Sequence, residues 1–174
     1  MPEPDARLRA RIARPHWYVW KALCATPLAA LLVFLPGGCR SADPMPPADF
    51  SLPGWRISHG QALWRSGAGG PEIAGELLLA THVHGQAFVQ FSKTPLPILI
   101  ARTTRNGWRI EFIARNQTLT GRGEPPGRLG WLHLARCLAG TNPPTGWSFQ
   151  QSDGGTWRLE NRKSGELLEG YLIP

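Results

Sequence analysis

The sequence predicts a mainly β (α+β) domain: a curved antiparallel sheet, an open half-barrel of about nine strands, with one amphipathic helix as lid. Three observations carry this. Short segments with apolar residues at alternate positions recur from Trp55 to Ile173, separated by Gly, Asn and Pro turns. A single stretch, 128–139, has helical spacing instead. The connections between strands are short, which favours a meander over parallel crossovers.

The elements justify themselves in order. Trp55–Arg65 reads as a first strand, ended by Ser66-Gly67-Ala68-Gly69-Gly70. Residues 73–82 form a second, apolar on both faces around Leu77, Leu78 and Leu79. His84-Gly85 turns the chain into a third at 86–91, and 98–104 gives a fourth. Asn106-Gly107 predicts a tight type I′ hairpin. Beyond it Trp108, Ile110 and Phe112 alternate with Arg109 and Glu111, the mark of a half-buried strand. Asn116 turns into a sixth strand, Gln117–Arg122. In 128–139, Trp131, Leu134, Ala135 and Leu138 fall at i, i+3, i+4 and i+7. Gly140 suits a C′ position, and Pro143-Pro144 prevents resumption of the helix. Strands then restart at Trp147, at Trp157 after Asp153-Gly154-Gly155, and at 166–173.

The N-terminal part is built differently. Arg7, Arg9, Arg11, Arg14 and Lys21 precede fourteen uncharged residues, 22–35, followed by Leu35-Pro36-Gly37-Gly38-Cys39. An export h-region needs roughly 7–15 apolar residues and a spanning helix about 20, so length favours a leader. A retained anchor helix is the alternative. The site resembles the lipobox of bacterial lipoproteins, with small Gly38 before the cysteine and Pro36 where an aliphatic residue is usual. That resemblance implies cleavage before Cys39 and lipidation of Cys39. It also implies attachment to a bacterial membrane; Arg40, not an Asp, follows the cysteine, as in lipoproteins sorted to the periplasmic face of the outer membrane. Three regions result: 1–38 a lipoprotein signal peptide, 39–53 a Pro-rich tether, and 54–174 the folded domain.

Charge divides along the same line. The chain carries +7, but five Lys/Arg and two Asp/Glu precede Cys39, leaving fourteen against ten and a net +4. Those basic residues are scattered, with no run beyond Arg162-Lys163, so no nucleic-acid footprint is expected. Of three cysteines, Cys24 would leave with the leader and Cys39 would be acylated. Cys137 then has no disulfide partner and reads as a buried thiol.

At the level of ordered features from Trp55 to Leu172, the chain resembles the LolA/LolB family of periplasmic lipoprotein carriers and receptors. The likeness rests on a Trp/Leu-rich antiparallel start, Ser92-Lys93-Thr94-Pro95-Leu96-Pro97 between two strands, and a single helix ending Leu138-Ala139-Gly140. A Pro-rich link to Trp147 and the closing strands completes it. Pro97 stands where Gly is usual, and 42–53 cannot form the helix that often opens the receptor domain. The resemblance implies an open barrel that binds acyl chains of lipoproteins or lipids against Leu77, Leu79, Phe88, Phe91, Trp108, Ile110, Phe112 and Trp131. It implies a periplasmic carrier protein as a candidate partner. It implies too that Leu96, stiffened between Pro95 and Pro97, serves as a lipid-insertion tip. Against that, Leu96 could fold back onto the core.

Other chemistry is sparse. His82 and His84 share a face, but zinc would need further ligands, and Glu76 is the sole carboxylate close in sequence. No nucleophile-elbow, CxxC or P-loop motif occurs. Glu166 and Glu169 show no acid/base pairing. No cofactor and no catalytic residues are expected. Two expectations of different class therefore stand: an acyl-chain carrier with an apolar cavity, or a scaffold with a filled core that binds another protein. A hydrolase would require a Ser or Cys within hydrogen-bond reach of His82, His84 or His133.

Overall fold

The computed structural model describes residues 45–173. The leader and Cys39 lie outside the described residues. The order is β1 (Trp55–Arg65), β2 (Glu72–His82), β3 (Ala87–Lys93), β4 (Leu96–Thr103), β5 (Gly107–Phe112), β6 (Gln117–Arg122), α1 (Gly130–Leu138), β7 (Trp147–Gln151), β8 (Thr156–Asn161) and β9 (Leu167–Ile173). All nine strands form one antiparallel sheet in the order β6-β5-β4-β3-β2-β1-β9-β8-β7. Six strands meander to one edge, α1 carries the chain to the opposite edge, and three more return until β9 pairs with β1. The edges β6 and β7 do not meet, so the sheet stays open, as the sequence predicts.

Register sorts the side chains. Trp64 pairs with Ile73 and Leu168, Leu77 with Phe91, Phe91 with Leu99, and Leu99 with Phe112. These positions share the concave face, because side chains alternate with a period of two. The convex face carries ion pairs. Glu111 binds Arg102 at 2.7 Å and Arg109 at 2.9 Å; Arg158 binds Glu169 at 2.6 Å and Glu160 at 3.0 Å. Although burial opposes it, the two guanidiniums hold the Glu111 carboxyl below its ordinary range.

Helix α1 closes over the concave face. Its left-handed C′ residue is Gly140 (φ 83°), whose N–H reaches the Cys137 carbonyl while the Thr141 N–H reaches that of Arg136. Burial is broader than the predicted stripe of Trp131, Leu134, Ala135 and Leu138. Leu132, His133 and Cys137 are buried as well, and Leu138 only partly. Leu132 and Cys137 join the core cluster, and the Pro-rich flank covers His133, whose Nε2 lies 3.3 Å from the Pro126 carbonyl.

Two further expectations are corrected. The β4–β5 turn is Thr104–Gly107, and neither Arg105 nor Asn106 has positive φ, so it is not type I′. The Thr104 hydroxyl accepts the N–H groups of Asn106 and Gly107 and stabilises the alternative turn. The second correction concerns 46–53. This segment lies along the convex face: Phe50 makes edge contacts with Trp55 (5.3 Å) and Phe88 (5.0 Å), and Arg102 Nη1 donates to the Pro46 carbonyl at 3.4 Å. Ala80 beneath it is fully buried.

The aromatic clasp is testable. Phe50→Ala should lower the free energy of unfolding by about 1–3 kcal/mol. Leu52→Ala, at an exposed site, should change it by less than about 0.5 kcal/mol. Urea midpoints of the two variants measured side by side check this.

Candidate functional site

The candidate site is the apolar space between the concave face and α1. Trp131, at the first turn of the helix, points into it. Its ring lies 5.2 Å from Phe91 and 5.9 Å from Trp64. Trp64 in turn stacks on Phe112 at 6.5 Å and meets Phe91 edge-on at 6.3 Å. Leu77, Leu99, Ile110, Leu134, Leu159 and Leu168 complete this interior, each at most 1% exposed.

Of the residues predicted to line it, Leu77, Leu79, Phe91, Ile110 and Trp131 are buried in one cluster, with Phe112 and Trp108 at its margin. Trp108 lies flat over Gly121, where any Cβ would strike the indole. Phe88 does not belong to the set. It pairs with Ala80 and Arg102 and faces the convex side, because Phe88 and Phe91 differ by an odd number of residues in one strand. Trp64 is the central residue missed from sequence. Its position is in phase with Ala62, and that alternation was the available signal.

The interior has an unusual polar feature. The indole N–H groups of Trp131 and Trp157 are buried with no acceptor among the described residues. A buried donor left unpaired costs roughly 1–3 kcal/mol, so each calls for an explanation. Trp147, by contrast, donates to the Gly127 carbonyl at 2.6 Å, and Trp64 donates to Glu166 Oε1 at 3.2 Å.

A crevice of about 340 Å³ lies between the C-terminal half of α1 and the ends of β2, β3 and β4. Small groups line it: Thr81, Ala87 and Thr103 on the sheet, Ala135 and Ala139 on the helix. Thr81, Ala87 and Thr103 continue the concave rows of Leu79, Val89 and Ala101. The Arg136–Glu124 ion pair stands at its rim.

Leu96 sits at the tip of the β3–β4 hairpin and is 69% exposed. It does not fold back onto the core. His82 Nε2 lies 3.2 Å from the Pro53 carbonyl, and its Nδ1 accepts the His84 N–H. The hydrogen-bond partners of His82 and His133 are thus backbone groups, not a Ser or Cys. Burial pushes the Cys137 thiol up and the His133 imidazole down, which keeps both neutral near pH 7. Among the described residues, no cluster of three or more His, Cys, Asp or Glu is placed to hold a metal.

Glu166 gives this region a pH signature. Burial pushes its carboxyl up to about 7, opposed by the Trp64 N–H bond. The folded chain therefore holds a proton that the unfolded chain releases near its ordinary value of 4.5. The stabilising contribution is complete below pH 4.5 and is lost as pH rises through about 7. Glu166→Gln should consequently stabilise the protein relative to wild type above pH 7 and leave the difference small near pH 4. Chemical unfolding at a series of pH values measures that difference, and a pH-independent gap would contradict it.

No protein-family model matches this chain, and no curated protein matches it either.

Proposed function

We propose that this protein is a membrane-anchored periplasmic lipoprotein that takes acyl chains of lipoproteins or lipids beneath α1 and passes them toward the outer membrane. The observation that carries this is the pair of unpaired indole donors, Trp131 and Trp157, inside an otherwise apolar interior. In a filled hydrocarbon core each unpaired N–H costs stability. An acylated cargo brings ester or amide carbonyls that would accept both. The crevice at the C-terminal half of α1 would serve as the mouth, and each CH₂ buried contributes about 0.8 kcal/mol, so one long chain gives tight capture. Uptake requires Trp131 to leave its place against Phe91, and therefore α1 to shift on the sheet. The exposed Leu96 suits insertion into a lipid surface, as the likeness to LolA/LolB-type carriers would have it. Cys39 would supply the anchor, and a periplasmic carrier protein is the natural donor of cargo.

A second function has its own observation. Strands β6 and β7 leave two unpaired sheet edges, which could accept a strand from another protein and make this an envelope scaffold.

Cells fed a photoactivatable fatty acid separate the two. After irradiation, the carrier should crosslink to acyl groups within 130–139 and 99–110. Ala139→Trp, which plugs the mouth, should remove most of that signal and keep near-UV circular dichroism intact. An absence of acyl crosslinks to the wild-type interior would leave the scaffold.

A further inference from the structure

The two ends of the sheet differ in charge, although both expose apolar side chains, those of one end being Leu52, Val83 and Ile173. Four connections meet at the other end: 94–95 between β3 and β4, 113–116 between β5 and β6, 66–71 between β1 and β2, and 162–166 between β8 and β9. The last two are joined directly, with the Ala68 N–H donating to the Ser164 carbonyl at 2.9 Å. The Ile113–Arg115 turn packs against β4 beside the Leu96 tip.

This rim presents two aliphatic side chains to solvent, Leu96 at 69% and Ile113 at 42% exposure. The same end carries Lys93, Arg115, Arg162 and Lys163, all exposed. None of these four has an ion pair among the described residues. The acids of the same rim are engaged: Glu72 is paired with Arg65 at 3.1 Å, and the half-buried Glu166 accepts the Trp64 indole N–H at 3.2 Å. At the opposite end Asp49, Glu124 and Asp153 are interspersed with the basic groups. Aliphatic tips on a rim that also carries four cations without ion pairs match an anionic bilayer surface, where the tips enter the acyl boundary and the cations meet phosphate.

We infer that this rim is the membrane-docking surface of the domain and that its partner is an anionic phospholipid bilayer. The purpose of such docking rests on the lipid-transfer function proposed above, whereas the surface itself rests on the rim residues. Chain length allows it. Pro46 is held beside Arg102, six residues along β4 from Leu96, which is about 20 Å. Seven residues from Cys39 to Pro46 reach at most about 25 Å. A lipidated Cys39 can therefore lie in the membrane plane that the rim touches. Each basic residue near an anionic surface strengthens attachment about fivefold, and salt weakens it.

The test is hydrogen exchange of the full chain reconstituted into vesicles of phosphatidylcholine, alone or mixed with phosphatidylglycerol. In the mixed vesicles, amides within 93–96, 113–116 and 162–165 should exchange about tenfold more slowly. That protection should vanish at high salt and in the Lys93→Gln/Arg115→Gln/Arg162→Gln/Lys163→Gln variant. Amides of 104–106 and 152–155 should exchange alike in both. Equal exchange at the rim in the two vesicles would overturn the inference. So would protection that needs another envelope protein and persists without phosphatidylglycerol. The salt series on the wild type stands by itself if the variant folds poorly. Acyl crosslinking of the same samples separates the two ideas: crosslinks without rim protection would sink the docking surface alone, and rim protection without crosslinks would sink the carrier alone.

Discussion

A sheet that curls without closing exposes an apolar concave face that it cannot cover by itself, and every other feature of this protein follows from that constraint. The strand order puts β1 inside the sheet between β2 and β9 and leaves β6 and β7 apart at the edges. The chain between those two edges must cross the open side, and it does so as α1. Trp131 then fills the space that nine strands leave empty, against Phe91 and Trp64. An indole is large enough for the gap but brings an N–H group that finds no acceptor there. The same choice that makes the interior solid thus makes it imperfect, and imperfect in a way that an acylated ligand could correct.

Much of this was legible in the sequence. The strands were visible because one face is buried and the other wet, so that Trp108, Ile110 and Phe112 had to alternate with charged neighbours. The helix was visible because its spacing broke that rhythm, and Gly140 marked its end. What stayed hidden depended on partners distant in sequence. Phe88 looked like a core residue, yet Phe50, thirty-eight positions earlier, covers it from the convex side. The Asn106-Gly107 pair signalled one turn, and the hydroxyl of Thr104 secured another. Glu166 showed nothing in the sequence, since its environment is made by Trp64 on a strand a hundred residues away. Periodicity reports which face is buried and is silent about what buries it.

The 46–53 segment illustrates how a proline-rich stretch can be extended without being free. Its prolines keep the backbone out of helix and sheet, while Phe50 and the Pro46 carbonyl give it two fixed points on the domain. A groove of about 320 Å³ remains between this segment and the ends of β3 and β4, lined by Met45, Leu52, Trp55 and Arg102 among others. Arg102 also carries a buried Nε–H with no acceptor among the described residues, although its other nitrogens serve Glu111 and Pro46. The 46–53 segment and α1 thereby lie on opposite faces of one sheet.

The pairing of β1 with β9 has a mechanical consequence. The two strands are antiparallel neighbours at the centre of the sheet, and Trp55 and Ile173 leave it at the same end. A load applied between those points opens the central ladder one residue pair at a time, as a zip opens. It does not shear seven pairs at once. The domain is consequently weak to tension drawn between its first and last strands.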